Sequence, residues 1–122
     1  MAIAVVRLGG PRGKREGLRI GTVRRPPRGV KKRDYAKLGY YDVWLPDLAP
    51  SAPLIRIAHR DWKKFSRGYR REMREQEHLL ALLAALSKES NFAVGCYCED
   101  ESRCHRSILR QILAEHGARI SK

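Results

Sequence analysis

Residues 92–98 read FAVGCYC, residues 99–101 read EDE and residues 104–107 read CHRS. The first stretch is an apolar run of strand length, the second is an acidic loop, and the third opens an amphipathic helix. That helix is predicted to be capped by Ser102 and to end at Gly117. A strand that leads through a short loop into a helix is typical of an α/β fold.

The rest of the chain supplies further strands and helices. Strands are predicted over residues 3–8, 18–23 and 40–45, a helix is predicted after Ser51 with a break near Asp61, and another over residues 79–86. An aromatic stripe at helical spacing is predicted to be core: Trp62, Phe65, Tyr69 and Met73. We therefore predict one small α/β domain over residues 1–122, with a partly parallel sheet of about four to five strands covered by helices. The glycine-rich segment 9–17 is predicted to be a mobile loop.

Composition limits the class of protein. The 122 residues are 43% hydrophobic and 32% charged, which fits one soluble globular domain. The longest apolar runs are far below the roughly 18 residues of a membrane span, so no membrane partner is expected. The three cysteines lie within residues 96–104 and cannot form a disulfide framework, and no signal peptide is visible. A cytoplasmic location is the expectation.

The positive charge is concentrated in the first third of the chain. The formal net charge is +13, and residues 1–38 contain 12 basic and 2 acidic side chains. Such a field attracts phosphates and polyanions without specifying any one of them. A general solubility charge explains the same numbers, and both interpretations stay open.

Two segments place candidate ligand-binding side chains where a parallel sheet binds its ligands. The loop of residues 24–29 (RRPPRG) follows the second predicted strand, and residues 104–107 begin the last helix. Free N–H groups in a first helical turn attract anions. The predicted ligand-binding residues are Arg24, Arg25, Arg28, Cys96, Arg106 and Ser107.

The cysteines allow three interpretations. Cys104, at a helix start beside His105, is a candidate nucleophile with His105 as acid or base, and these two are the predicted catalytic residues. Cys96 and Cys98 share one face of the predicted strand and are alternatively a buried structural pair. Zinc bound by Cys96, Cys98, Cys104 and His105 is disfavoured, because the spacing lacks a C-x2-C knuckle and adjacent helical residues diverge. No metal or cofactor is predicted.

Several motifs resemble the domain of unknown function 488 family of bacterial proteins over nearly the whole chain. The motifs are residues 27–32 (PRGVKK), 49–51 (APS), 65–73 with its Phe, Tyr and Glu-Met pattern, 95–98 (GCYC) and 104–107 (CHRS). The resemblance implies a compact α/β fold and supplies no activity. The family motifs include Arg28, Cys96, Cys104, His105 and Arg106.

Two functions follow from these observations. The first is a pocket, with or without enzymatic activity, for a phosphorylated small molecule, a nucleotide or the end of a nucleic acid. The alternative is a non-enzymatic, sequence-tolerant nucleic-acid-binding module that uses the basic N-terminal third. The alternative relies on Arg12, Lys14, Arg15, Arg19, Arg24, Arg25, Lys31 and Lys32. No oligomeric state is predicted.

Overall fold

Four parallel strands form the sheet of this chain in a computed structural model that describes residues 1–121. The strands are β1 (Ile3–Arg7), β2 (Leu18–Gly21), β3 (Val43–Trp44) and β4 (Phe92–Cys96). Their order is β1-β4-β2-β3, and every neighbouring pair is parallel. The prediction of an α/β fold is confirmed, and the sheet is parallel throughout.

The last strand in the sequence is the central one. Phe92 pairs with Ile3 of β1 on one side and with Leu18 of β2 on the other. All five residues of β4 are buried, which explains why the strand is continuously apolar rather than alternating. A Cβ on Gly95 would lie 2.6 Å from the Val6 carbonyl oxygen, so this glycine allows β1 to approach closely.

Four α-helices cover the sheet. They are α1 (Ala52–Ile57), α2 (Trp62–Arg74), α3 (Glu77–Leu86) and α4 (His105–Glu115). The predicted break near Asp61 is confirmed, because the Asp61 side chain accepts a hydrogen bond from the Lys64 N–H at 3.0 Å and thereby caps α2. Within residues 1–121, each helix is too short or too polar to cross a lipid bilayer.

The helices enclose one main hydrophobic core. Phe65, Tyr69 and Met73 of α2 are buried, so the aromatic stripe is core as predicted. Packing between α2 and α4 and between α3 and α4 completes this layer. The core also contains Ile3, Leu48, Leu80, Leu83, Phe92, Val94, Ile108, Leu109, Ile112 and Leu113.

The predicted start of the last helix is wrong. The Asp100 side chain accepts a hydrogen bond from the Ser102 N–H at 3.0 Å, and residues 101–103 form a separate 3₁₀ turn. Cys104 then has extended backbone angles (φ −126°, ψ 152°), and α4 begins after it, at His105. The predicted end is correct, because Gly117 has a φ of +88° directly after the helix and donates its N–H to the Ala114 carbonyl.

All four predicted strands are too long, the first by one residue because β1 ends at Arg7. β2 ends at Gly21 rather than residue 23, β4 ends at Cys96 rather than residue 98, and β3 contains only Val43–Trp44. The N–H of Tyr40 donates to the Tyr35 carbonyl within its own loop, so that part of the predicted third strand does not join the sheet.

The predicted mobile loop over residues 9–17 is attached to the fold by a buried arginine. The Arg19 guanidinium, 1% exposed, donates to the carbonyls of Gly10 and Pro11 and to the carboxylate of Glu16. It also donates to the carbonyl of Gly39 in the next loop. Arg19 is therefore not available to a nucleic acid, while the mobility of the loop stays a prediction.

Candidate functional site

The carboxyl ends of three strands lie side by side, because β1, β4 and β2 are adjacent and parallel. β1 continues into Leu8 and Gly9, β4 into Tyr97 and Cys98, and β2 into the loop of residues 22–29. The amino-terminal end of α4 lies at the same edge, where open parallel sheets bind their ligands.

Cys104 occupies the residue position just before α4. Its carbonyl accepts hydrogen bonds from the Ser107 N–H at 3.1 Å and from the Ser107 hydroxyl at 3.0 Å. Because Cys104 is extended rather than helical, its Sγ lies only 3.7 Å from Nδ1 of His105. The expectation that these neighbouring side chains diverge is therefore wrong.

His105 is buried and held in one tautomer. Its Nε2 lies 2.8 Å from the carbonyl oxygen of Thr22, and a carbonyl oxygen can only accept a hydrogen bond. Nε2 therefore carries the proton, and Nδ1 presents a lone pair towards the Cys104 sulfur. Burial lowers the pKa of His105 to about 4, so the ring is neutral at pH 7.

The three cysteines form a thiol cluster. Sγ of Cys96 and Sγ of Cys104 lie 2.6 Å apart, and both residues are buried. Cys98 is exposed, because β4 ends at Cys96 and the chain turns away. The expectation that Cys96 and Cys98 form a buried pair on one strand face is therefore wrong.

The pKa values of Cys98 and Cys96 are shifted in opposite directions. Hydrogen bonding from Cys104, and then from Cys96, lowers the pKa of Cys98, and the positive charge of Arg106 adds to this effect. Hydrogen bonding to Cys104 and Cys98, together with burial, raises the pKa of Cys96 well above the usual range of a thiol. These opposite shifts favour ionisation at Cys98 over ionisation at Cys96.

The cluster offers ligand atoms of a kind that binds zinc. One atom each from Cys96, Cys104 and His105 lies within 4.8 Å of the others. Two sulfurs that each lie about 2.3 Å from one tetrahedral zinc are about 3.8 Å apart. The 2.6 Å separation of Cys96 and Cys104 would have to increase by about 1 Å before both sulfurs could bind one zinc ion. The composition suits zinc but this spacing does not.

A cavity of about 440 Å³ opens beside the exposed thiol, and we call it the Cys98 pocket. One part of its wall is apolar and the other carries guanidinium groups. The apolar residues are Val23, Pro50, Ala52 and Ile55, and the arginines are Arg24, Arg25 and Arg56. Cys96, Tyr97, Cys98 and His105 complete the lining. The pocket thus combines an apolar surface, positive charge and a thiol.

A second cavity of about 570 Å³, the Arg28 pocket, lies next to it. It is lined by Arg7, Leu8, Gly9, Gly10, Arg25, Pro26, Pro27, Arg28, Tyr40 and Tyr97. The Tyr97 hydroxyl donates to the Arg25 carbonyl at 2.8 Å, and these two residues line both cavities. Tyr97 and Arg25 therefore form a shared wall between Arg28 and the thiol cluster.

The structure brings together some of the predicted site residues and separates others. Arg24 and Arg25 line the Cys98 pocket with Cys96 and His105, whereas Arg28 lines only the neighbouring one. Arg106 is buried and donates to the Cys98 carbonyl at 2.6 Å.

The donors predicted on α4 are directed into the protein. Within residues 1–121, Nε of Arg106 has no hydrogen-bond partner. The Ser107 hydroxyl donates to the Cys104 carbonyl. Arg106 therefore holds the chain after β4 in place and Ser107 supports the first turn of α4.

Sequence reasoning missed three residues of the site. Arg56 comes from α1, more than forty residues before Cys98, and no motif joins the two. Thr22 acts through its backbone carbonyl, which no side-chain pattern reveals. Tyr97 had a usable signal, because it lies between two cysteines that the sequence had already singled out.

Residues 3–117 match the family model described as "Active DUF488-N3 subclade". The chain belongs to this family. The DUF488-N3 match extends from β1 through α4 and so includes every residue of both pockets and of the thiol cluster. Neither a curated protein nor a solved structure matches the chain.

Proposed function

We propose that this protein is a thiol-dependent enzyme that binds a phosphorylated small molecule, a nucleotide or the end of a nucleic acid in the Cys98 pocket. One observation carries the proposal: the exposed thiol of Cys98 lines a cavity that also contains three arginines. Positive side chains next to an activated nucleophile suit the binding of an anion and chemistry at the same place.

The arginines supply the anion-binding part of the proposal. Arg25 and Arg56 are exposed, and in the part of the chain that the structure describes neither forms a salt bridge with a carboxylate. Arg24 is held by the carbonyl of Pro50, 3.2 Å from its Nε. Guanidinium groups form charge-assisted, often bidentate hydrogen bonds with phosphate.

The apolar wall narrows the class of ligand. Val23, Pro50, Ala52 and Ile55 form a surface against which a flat ring can pack. Inorganic phosphate would leave this surface empty, whereas a nucleotide places its base there and its phosphate near the arginines. A nucleotide or a nucleotide end of a longer chain is therefore the ligand that fits best.

Cys98 presents the reacting sulfur in this proposal. The sequence pointed to Cys104 and His105, but both are buried, while Cys98 lines the pocket and has a lowered pKa. A thiolate at neutral pH is a strong nucleophile that attacks an electrophilic atom of a bound ligand. Nδ1 of His105 lies 3.7 Å from the Cys104 sulfur, and hydrogen bonding from Cys104 is the largest cause of the lowered pKa of Cys98. The description of the matching subclade as active agrees with a chemical role.

The cellular location of the protein is part of the same proposal. Cys96, Cys98 and Cys104 are free thiols, and free thiols persist in a reducing compartment. We therefore propose the bacterial cytoplasm as its location.

Protection of Cys98 from alkylation tests the proposal. Iodoacetamide labelling of the full chain, followed by mass spectrometry, gives the rate at Cys98 with adenosine monophosphate, adenosine or inorganic phosphate present. We expect the nucleotide to slow labelling most. Arg25→Ala and Arg56→Ala should each weaken this protection by about tenfold or more, as expected for a lost charge-assisted hydrogen bond.

The matched control removes the same charge at the opposite edge of the sheet. Arg119 is exposed and its carbonyl accepts the Ile3 N–H where β1 begins. Arg119→Ala should leave protection unchanged. A labelling rate that the nucleotide does not change would contradict the proposal. So would an equal loss of protection in Arg25→Ala, Arg56→Ala and Arg119→Ala.

A second function, nucleic-acid binding without chemistry, is favoured by the exposure of Lys14, Arg15, Lys31 and Lys32. Two other members of that predicted surface are engaged elsewhere: Arg19 is buried, and Arg12 pairs with Asp42 at 2.9 Å. The remaining surface still suits a polyanion, and its binding should be sequence-tolerant and strongly salt-dependent.

A further inference from the structure

The thiol cluster contains three cysteines, two more than a single nucleophile requires. Cys98 is open to solvent, and the Cys96 and Cys104 sulfurs lie behind it, 2.6 Å apart. Cys98 follows Cys96 by two residues and lines the same pocket as Cys96. Three thiols that lie within residues 96–104 and differ in exposure can exchange a disulfide among themselves.

We propose that the cluster is a thiol–disulfide relay, in which Cys98 reacts with a small-molecule disulfide and the oxidation is passed inward to a Cys96–Cys104 disulfide. This activity goes beyond the proposed function and does not depend on it, because the relay requires no nucleotide and none of the pocket arginines Arg24, Arg25 and Arg56.

The relay has three balanced steps. In the first, the Cys98 thiolate attacks one sulfur of the disulfide RSSR, forms a mixed disulfide and releases RS⁻, which takes a proton from water. In the second, Cys104 attacks Sγ of Cys98, the Cys98–Cys104 bond forms and a second RSH leaves. In the third, Cys96 attacks Sγ of Cys104, the Cys96 proton passes to water and replaces the one taken in the first step, and Cys98 leaves as a thiolate. Overall, two thiols are oxidised to one disulfide and RSSR is reduced to two RSH.

His105 provides the proton acceptor for the second step. The Thr22 carbonyl keeps the proton on Nε2, so the Nδ1 lone pair faces Sγ of Cys104 at 3.7 Å. Nδ1 takes the Cys104 proton as the sulfur attacks, and the departing RS⁻ receives it. A neutral imidazole with one free nitrogen is suited to this transfer.

Burial determines the order of the steps. Cys96 and Cys104 are 2% and 3% exposed, so a small disulfide in solution meets Cys98 first. The buried pair then holds the disulfide, because its sulfurs are already nearly within bonding distance while solvent reductants are kept away. Cys98 emerges as a free thiol again.

Oxidation by glutathione disulfide tests the relay on the full chain. Reduced protein is mixed with glutathione disulfide, quenched with acid, alkylated with N-ethylmaleimide and mapped by mass spectrometry. We expect the loss of two hydrogen atoms, a peptide crosslink between Cys96 and Cys104, and N-ethylmaleimide on Cys98. A stable glutathione adduct on Cys98 with no internal crosslink would overturn the relay.

Substitution of the exposed thiol supplies the second measurement. Cys98→Ser leaves the core untouched and should slow formation of the Cys96–Cys104 crosslink by about tenfold or more, because only exposed thiolates react readily. Crosslinking as fast as in the wild type would contradict the relay. So would purified protein that contains stoichiometric zinc and whose thiols resist oxidation until the metal is chelated.

A variant without the anion-binding group separates the two proposals. In Arg25→Ala, nucleotide protection is lost under the proposed function, while the Cys96–Cys104 crosslink should still form. Loss of the crosslink in Arg25→Ala would show that the relay is not independent of the pocket arginines and would overturn it as stated.

Discussion

The backbone oxygen of Thr22 accepts a hydrogen bond from Nε2 of His105, 2.8 Å away, and this contact sets the chemistry of the neighbouring sulfur. With the proton fixed on Nε2, the other ring nitrogen can only accept, and it faces Cys104. A histidine that is neutral and buried at pH 7 acts as a base, whereas a charged one would stabilise thiolates electrostatically. The behaviour of the thiol cluster thus follows from one main-chain contact that no side-chain motif encodes.

The buried state of His105 makes stability depend on pH. Its pKa is about 4 in the fold against 6.5 for a free imidazole, so the unfolded chain binds more protons between these values. Stability is fully present above pH 6.5 and is lost as the pH falls. Between about pH 7 and pH 5, urea titrations should show a fall of about 2 kcal/mol in the free energy of unfolding.

His105→Gln is the matched variant for this measurement. It removes the titrating ring, so its free energy of unfolding should change much less than that of the wild type over the same interval. The carboxylates stay charged across most of that interval and contribute little to the difference between the two proteins. Equal pH dependence in both proteins would contradict a neutral, buried His105.

At the scale of elements, β4 and α4 determine where the site lies. The apolar run and the amphipathic pattern were sufficient to predict both, because core-facing periodicity is a property of the sequence. The few residues between them were not predictable. The Asp100 side chain closes a turn on the Ser102 N–H, which delays α4 until His105 and leaves Cys104 extended. In this position Cys104 is buried, and Cys98 is the sulfur that a ligand reaches.

The residues that line the Cys98 pocket also divide into those that the sequence could predict and those that it could not. Arg24 and Arg25 could be predicted because they follow a strand end, which is a general ligand-binding position. Arg56 could not, since its approach to Cys98 depends on how α1 packs against the rest of the fold. Contacts between segments distant in sequence have no signal in a single sequence.

The loop elements at the carboxyl edge depend on the buried pair of Arg19 and Glu16. Arg19→Met should lower the free energy of unfolding by about 3–5 kcal/mol, because it leaves the Glu16 charge buried and the loop carbonyls without a donor. Chemical denaturation measures this loss. Arg12→Met, which breaks a partly exposed ion pair with Asp42, should lower it by about 1 kcal/mol or less. Similar losses in the two variants would contradict the structural role of Arg19.

At the scale of the whole molecule, the charge of +13 explains attraction to polyanions but not the place where they bind. Twelve of the basic residues lie in the first 38 positions, yet the structure gives them different roles. Arg19 is core, Arg12 is paired with Asp42, and Arg25 lines both cavities. A count of charges therefore overstates the basic surface that is open to a nucleic acid.

The central claim is that an anionic ligand occupies the Cys98 pocket rather than the basic surface at large. The most direct measurement is the fluorescence anisotropy of a labelled single-stranded oligonucleotide, titrated at low and moderate salt, with unlabelled adenosine monophosphate as competitor. We predict that the mononucleotide displaces the oligonucleotide from the wild type and from Arg119→Ala at both salt concentrations, and that Arg25→Ala and Arg56→Ala bind this competitor about tenfold or more weakly. Displacement by salt alone, with a steep salt dependence and no effect of the mononucleotide, would contradict the claim.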